Sequence, residues 1–198
     1  MVLTHPFYCP TRSIEGHAYE DALFEILSGR RWALVTSPGW TKRGGCETLV
    51  SRCGEPTAVF DACDKNPTIQ TVLNIAPALE RADVYVGLGG GSVLDALKGA
   101  AALVALDHNV GVFIDHLKIG TQLPKNLPAK PIIAIPTTSG TGSEVTPWGT
   151  IWGEDTIKYS VKNVALYPSH AIMDPALTIS MPAELTVATG LDAHSHAM

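Results

Sequence analysis

The chain has 198 residues, 45% hydrophobic and 17% charged, with a formal net charge of -5. That length and balance describe a folded domain able to bury a core and exclude a disordered chain. With a pI near 5.7 and basic doublets only at Arg30–Arg31 and Lys42–Arg43, there is no electrostatic footprint for nucleic acid.

Met1 through Arg12 show no charged segment leading into an apolar one, and no apolar run is long enough to span a bilayer. The expected setting is cytoplasmic, with no membrane partner. Cys9, Cys46, Cys53 and Cys63 form no C-x-x-C pair, so they read as reduced structural thiols rather than zinc ligands.

In chain order, apolar runs alternate with helical patterns, the signature of a parallel α/β sheet. Ser13–Leu27 reads as a helix with Tyr19, Leu23, Ile26 and Leu27 on one stripe. Trp32–Thr36 is a buried strand, Gly45–Arg52 a helix and Thr57–Asp61 a second strand. Thr68–Arg81 is a helix that Pro77 should kink. Asp83–Leu88 is a third strand, Ser92–Leu106 an Ala/Leu-rich helix and Pro131–Ile135 a short strand. After a more irregular stretch, Lys158–Val164 and Ala171–Met173 read as strands. Pro182 then suits the first position of a helix over Ala183–Val187.

Two loops carry chemistry. Val84 to Leu88 runs into Gly89-Gly90-Gly91-Ser92 and then into a helix. Strand, glycine turn and helix together let backbone N–H groups and the helix dipole meet a phosphate, although the spacing departs from G-x-G-x-x-G. The plain alternative is a glycine-rich connection. The second loop, Pro136-Thr137-Thr138-Ser139-Gly140-Thr141-Gly142-Ser143-Glu144, follows a buried strand. Open α/β sheets place ligands there, though a solvated hydroxyl-rich turn has the same composition. At the other end of the chain, Asp192 and His196 are spaced i, i+4. On a helix they share one face, one turn apart, where both reach a single cation.

Gly89–Ser92 with Asp95 and Lys98, the Ser139-Gly140-Thr141-Gly142-Ser143-Glu144 loop, Lys158, Asp174-Pro175 and the terminal Asp192-x-x-x-His196 together resemble the iron-containing (group III) alcohol dehydrogenase family. The resemblance implies a Rossmann-like parallel sheet with flanking helices over residues 1–181. Residues 182–198 would begin an all-helical metal-binding domain that is otherwise largely absent. It also implies hydride transfer between NAD(P)H and a small aldehyde or alcohol, assisted by a divalent metal, Fe2+ or Zn2+.

By the same resemblance Gly89, Gly90, Gly91 and Ser92 cradle the pyrophosphate, Thr137 and Thr138 meet the cofactor, and Lys158 fixes the ribose. Asp192 and His196 match the first two metal ligands; the family's other two are histidines of the helical domain. The expectation is therefore a truncated form with an incomplete metal site, sticky or dimeric through surface that a further domain would cover. Thr146–Thr150 and Lys158–Ser160 look similar to a branch reducing phosphonoacetaldehyde-like substrates.

Two other readings stand beside this one: an inactive or regulatory dinucleotide-binding fragment, and a glycerol dehydrogenase or dehydroquinate synthase relative. Asp95 and Lys98 read equally well as a solvated helix face. Asp174 reads as ordering a turn before Pro175, and His194 as an exposed residue pointing away from Asp192 and His196. Ser37, counted among the cofactor contacts, opens Ser37-Pro38-Gly39-Trp40-Thr41-Lys42-Arg43, which holds two cations and no carboxylate. A carboxylate after an early strand ordinarily repels a 2′-phosphate, so this loop points to NADP(H) being admitted.

Overall fold

The computed structural model describes residues 8–198, except the side chains of His196 and Ala197. Six strands, β1 (Arg12–Glu15), β2 (Trp32–Thr36), β3 (Ala58–Phe60), β4 (Val84–Gly89), β5 (Ile132–Pro136) and β8 (His170–Met173), form one sheet in the order β1-β8-β5-β4-β2-β3. Every pairing in it is parallel. An antiparallel hairpin, β6 (Trp148–Trp152) with β7 (Lys158–Lys162), stands apart from it.

Both faces of the sheet are covered, which is why its central strands read as unbroken apolar runs. Along β2, Trp32 and Leu34 join one core while Ala33 and Val35 join the other, the period of two that a pleated strand imposes. The helices α1 (Tyr19–Leu27) and α3 (Gly45–Cys53) supply the first core, through Leu23 and Leu49. The second is built by α4 (Ile69–Leu79), α5 (Gly91–Ala105) and α6 (Val110–Ile119). A short helix, α2 (Pro38–Lys42), follows β2, and α7 (Ala183–Ala197) is the last element.

The sequence reading holds for the sheet and differs at several points. Ser13–Glu15 is strand, not helix: it pairs with Ala171–Met173 of β8, and Gly16 at φ 77° turns the chain before α1 begins at Tyr19. Helix α4 continues through Pro77 to Leu79. Strand β7 stops at Lys162, where Asn163 accepts the N–H of Ala165 and starts a 3-10 turn. The helix begun by Pro182 extends well beyond Val187. Among the described residues no helix is long and apolar enough to cross a membrane.

The topology sets the site. The chain passes outward from β2 to β3, returns to β4 beside β2, and then builds away through β5 and β8. Connections therefore diverge between β2 and β4, and a crevice opens at the carboxyl ends of the strands. Ser37 follows β2, the glycine turn follows β4 and the hydroxyl-rich loop follows β5, so three adjacent strands deliver their loops to one edge.

Candidate functional site

Register brings the two loops together. Gly89 lies opposite Pro136 across β4 and β5, and the N–H of Thr137 donates to the carbonyl of Gly89 at 3.1 Å. Beyond that point threonine side chains of the hydroxyl loop pack directly on the glycine turn. A Cβ on Gly90 would sit 2.9 Å from Thr138 Oγ1, and one on Gly91 would sit 2.7 Å from Thr141 Cγ2. These glycines are therefore required by close approach, since Gly90 itself has an ordinary φ of -75°.

Helix α5 starts at Gly91 directly behind this contact. Its first N–H groups have no carbonyl of a preceding turn to reach, and the dipole adds partial positive charge, so the turn suits a phosphate. In front lies a cleft of about 740 Å³ lined by Gly91, Ser92, Thr141, Ser143, Lys158 and Asp192, among others. Residues from the glycine turn, the hairpin and the last helix thus converge on one cavity.

The remaining candidates are distributed around it. Gly89 ends β4, and Gly90 caps α5 behind Thr138. Thr137 is buried and accepts the indole N–H of Trp40 at 3.1 Å. Together with Thr138 it lines a separate cavity of about 100 Å³ under α7. Thr138 also borders a groove of about 240 Å³. Ser37 is the half-buried residue before α2 and is not among those lining the large cleft. Lys158 is exposed, its ammonium 5.0 Å from the ring of Trp152.

Helix α7 reaches the cleft through the hydroxyl loop. Gly140, at φ 106°, abuts the backbone carbonyl of Thr189, and Ser139 and Thr189 bring their hydroxyls to 3.4 Å. This contact holds the next turn, with half-buried Asp192, over the cavity. The helix runs unbroken to Ala197, so positions 192 and 196 are one turn apart, while the side chain of His196 lies outside the described residues. His194 is exposed. Among the described residues no three His, Cys, Asp or Glu side chains cluster as metal ligands.

The solvated-face reading of Asp95 and Lys98 is overturned. Lys98 is fully buried, and its ammonium donates to the carbonyl and hydroxyl of Ser143 and to the carbonyl of Trp148. Burial lowers its pKa to about 8, against the opposing pull of Asp95 and Glu144. Burial raises the Asp95 carboxyl, offset by the Ser143 hydroxyl, the N–H of Thr150 and Lys98. A helix pattern shows charges at i and i+3 but not a loop 45 residues away that covers them. Asp174 behaves as read, accepting the N–H of Ala176 at 2.9 Å and of Tyr19 at 3.1 Å.

Comparison with known proteins assigns this architecture. A 1-propanol dehydrogenase from Citrobacter freundii is 40% identical over 201 residues, covering 97% of this chain and 48% of that protein. A 4-hydroxybutyrate dehydrogenase from Cupriavidus necator is 37% identical over 87% of this chain and 45% of its own length. The crystal structure of sulfoacetaldehyde reductase from Bifidobacterium kashiwanohense in complex with NAD+ superposes with a TM-score of 0.85 at 29% identity, over 94% of this chain and 50% of that one. The chain thus spans about half the length of the relatives it matches, and these are named for propanol, hydroxybutyrate and sulfoacetaldehyde rather than phosphonoacetaldehyde. Residues 10–175 match the family model for iron-containing alcohol dehydrogenase, and with the parallel sheet, glycine turn and hydroxyl loop in the order described, the chain belongs to that family.

Proposed function

We propose that this chain supplies the dinucleotide-binding half of a metal-dependent alcohol dehydrogenase that moves a hydride between NAD(P)H and a small aldehyde or alcohol. The observation that carries this reading is the convergence of Gly91, Ser92, Lys158 and Asp192 on one cleft of about 740 Å³. Gly89, Gly90, Gly91 and Ser92 bind the pyrophosphate, with Thr137 and Thr138 closing the turn from the β5 side. Lys158 contacts the ribose. Residues 1–181 form the nucleotide domain, and residues 182–198 begin a helical metal-binding one.

Asp192 and His196 offer a carboxylate and an imidazole to a divalent metal such as Fe2+ or Zn2+. When bound, that metal would polarise the substrate carbonyl and stabilise developing alkoxide charge. The chain's own part is to hold the dinucleotide and orient it toward the face of α7 that carries Asp192.

Ser37 before α2 and the cations Lys42 and Arg43 at its far end support admission of NADP(H). A carboxylate from beyond β3, Asp61, accepts the Thr41 hydroxyl at 3.3 Å. Leu185, Val187 and Leu191 on α7 are exposed, which favours self-association as a dimer. Cysteines that are free among the described residues fit a reducing, cytoplasmic setting.

Titrating the protein with NADPH and with NADH, followed by nicotinamide fluorescence, tests the reading. Saturable binding with enhanced emission is expected for at least NADPH. No binding of either would remove the proposal.

A further inference from the structure

Lys98 and Asp95 lie one turn apart on α5, the helix that begins at the glycine turn. Between them sits the hydroxyl of Ser143, which accepts from the Lys98 ammonium at 2.8 Å and donates to Asp95 Oδ1 at 2.8 Å. Two further bonds run from the same ammonium, to the carbonyls of Ser143 and Trp148, and Asp95 also accepts the backbone N–H of Thr150. A buried ammonium and carboxylate are costly to desolvate and persist only where hydrogen bonds satisfy them.

We propose that Asp95, Ser143 and Lys98 form a clamp that presets the hydroxyl loop against the glycine turn, which makes Lys98 and Asp95 positioning residues for the dinucleotide phosphates. This rests on the dinucleotide reading above. The geometry supports it at both ends of the loop. At one end, β5 fixes Pro136 opposite Gly89. At the other, Lys98 fixes Ser143 two turns along the helix. The span between is held taut across the turn, which brings Thr138 against Gly90 and Thr141 against Gly91. The bond to the Trp148 carbonyl ties β6, and through its pairing β7, to the same ammonium. Lys158 on β7 is thereby referenced to the cradle.

A buried polar network can often be replaced by apolar residues with little loss of stability. Its specific product here is the placement of the loop, so the effect of breaking it falls on phosphate recognition. The test measures NADPH affinity by fluorescence, and ADP and adenosine affinity by displacement, for the parent, Lys98→Met and Ser143→Ala, with thermal unfolding of each. In Lys98→Met the NADPH and ADP dissociation constants should rise about tenfold, while that of adenosine moves less than about twofold. Ser143→Ala, which keeps the two carbonyl bonds, should show the same selectivity at about threefold. If Lys98→Met does not fold, Ser143→Ala decides alone. A parent that binds NADPH together with folded variants whose NADPH and ADP affinities are unchanged, or fall in step with adenosine, overturns the clamp and leaves the dinucleotide reading intact. A parent that binds no dinucleotide overturns both.

Discussion

Trp40 donates its indole N–H to the buried hydroxyl of Thr137 at 3.1 Å, joining the helix after β2 to the loop after β5 across the end of β4. This bond spans the crevice where the strand order diverges. Trp40→Phe keeps most of the packing but leaves the Thr137 hydroxyl without its donor, at an expected cost of about 1–3 kcal/mol. Adding Thr137→Val should recover much of that loss, because removing both partners leaves nothing unsatisfied. Urea unfolding of the two single variants and the double variant gives the coupling; additive losses would mean the bond contributes nothing.

Gly90 separates steric from electrostatic effects in the cradle. A Cβ there meets Thr138 Oγ1 at 2.9 Å, so Gly90→Ala should weaken NADPH binding modestly as the threonine rotates aside. Gly90→Asp should abolish it, because a carboxylate would face the pyrophosphate in a partly desolvated site. Equal losses for the two substitutions would show that space alone matters, and fluorescence titration distinguishes the cases.

The sheet was readable because its central strands are buried on both faces, so Trp32–Thr36 and Val84–Gly89 are uninterrupted apolar segments ending in glycine or hydroxyl loops. What escaped depended on context. Arg12–Glu15 has no apolar run of its own and is a strand only because β8 offers an edge. Helix α6 carries little helical signal in its sequence, because Val110, Gly111, Val112 and Ile114 are poor helix formers. Its ends were nonetheless marked: Asn109 accepts the N–H of Val112, and Gly120 caps the far end at φ 76°. Of the hairpin, β7 is legible as a strand from Lys158, whereas β6 lies hidden in a Gly- and Pro-containing stretch. For the site, the glycine turn and hydroxyl loop were visible as strand-ending motifs, whereas Lys98 was not: its partners lie on Ser143 and Trp148, outside any local window.

The depressed pKa of Lys98 has a definite sign in stability. Its ammonium titrates near 8 in the fold against 10.5 for the ordinary group. Between those values the unfolded chain binds more protons, so the Lys98 contribution rises with pH through that window and is lowest below pH 8. Cys53 and Cys63 act oppositely, since burial raises their thiols to about 11 and about 12 from 9.0. Total stability therefore mixes the two effects, but subtracting Lys98→Met cancels the cysteines. Urea unfolding at pH 7 and near pH 10 should show the parent gaining on Lys98→Met as pH rises. A gap that stays constant or moves the other way would mean that Lys98 titrates normally.

Metal and dinucleotide should separate experimentally. Asp192 lines the cleft and position 196 lies one turn further along α7, and among the described residues no three His, Cys, Asp or Glu side chains cluster. On the proposed reading Asp192 and His196 are two ligands of a metal site, and functional sites ordinarily use three or four, so these 198 residues by themselves should hold Zn2+ or Fe2+ weakly. Elemental analysis after dialysis against a chelator should find the protein metal-free, and calorimetric titration with Zn2+ should return a weak constant that Asp192→Asn weakens further. NADPH binding should survive chelation, because the cradle proposed for its phosphates uses backbone groups of Gly90, Gly91 and Ser92 rather than the metal ligands. A stoichiometric, chelator-resistant metal would instead require ligands from a second copy of the chain, and the measured mass of the metal-loaded protein would then be that of a dimer.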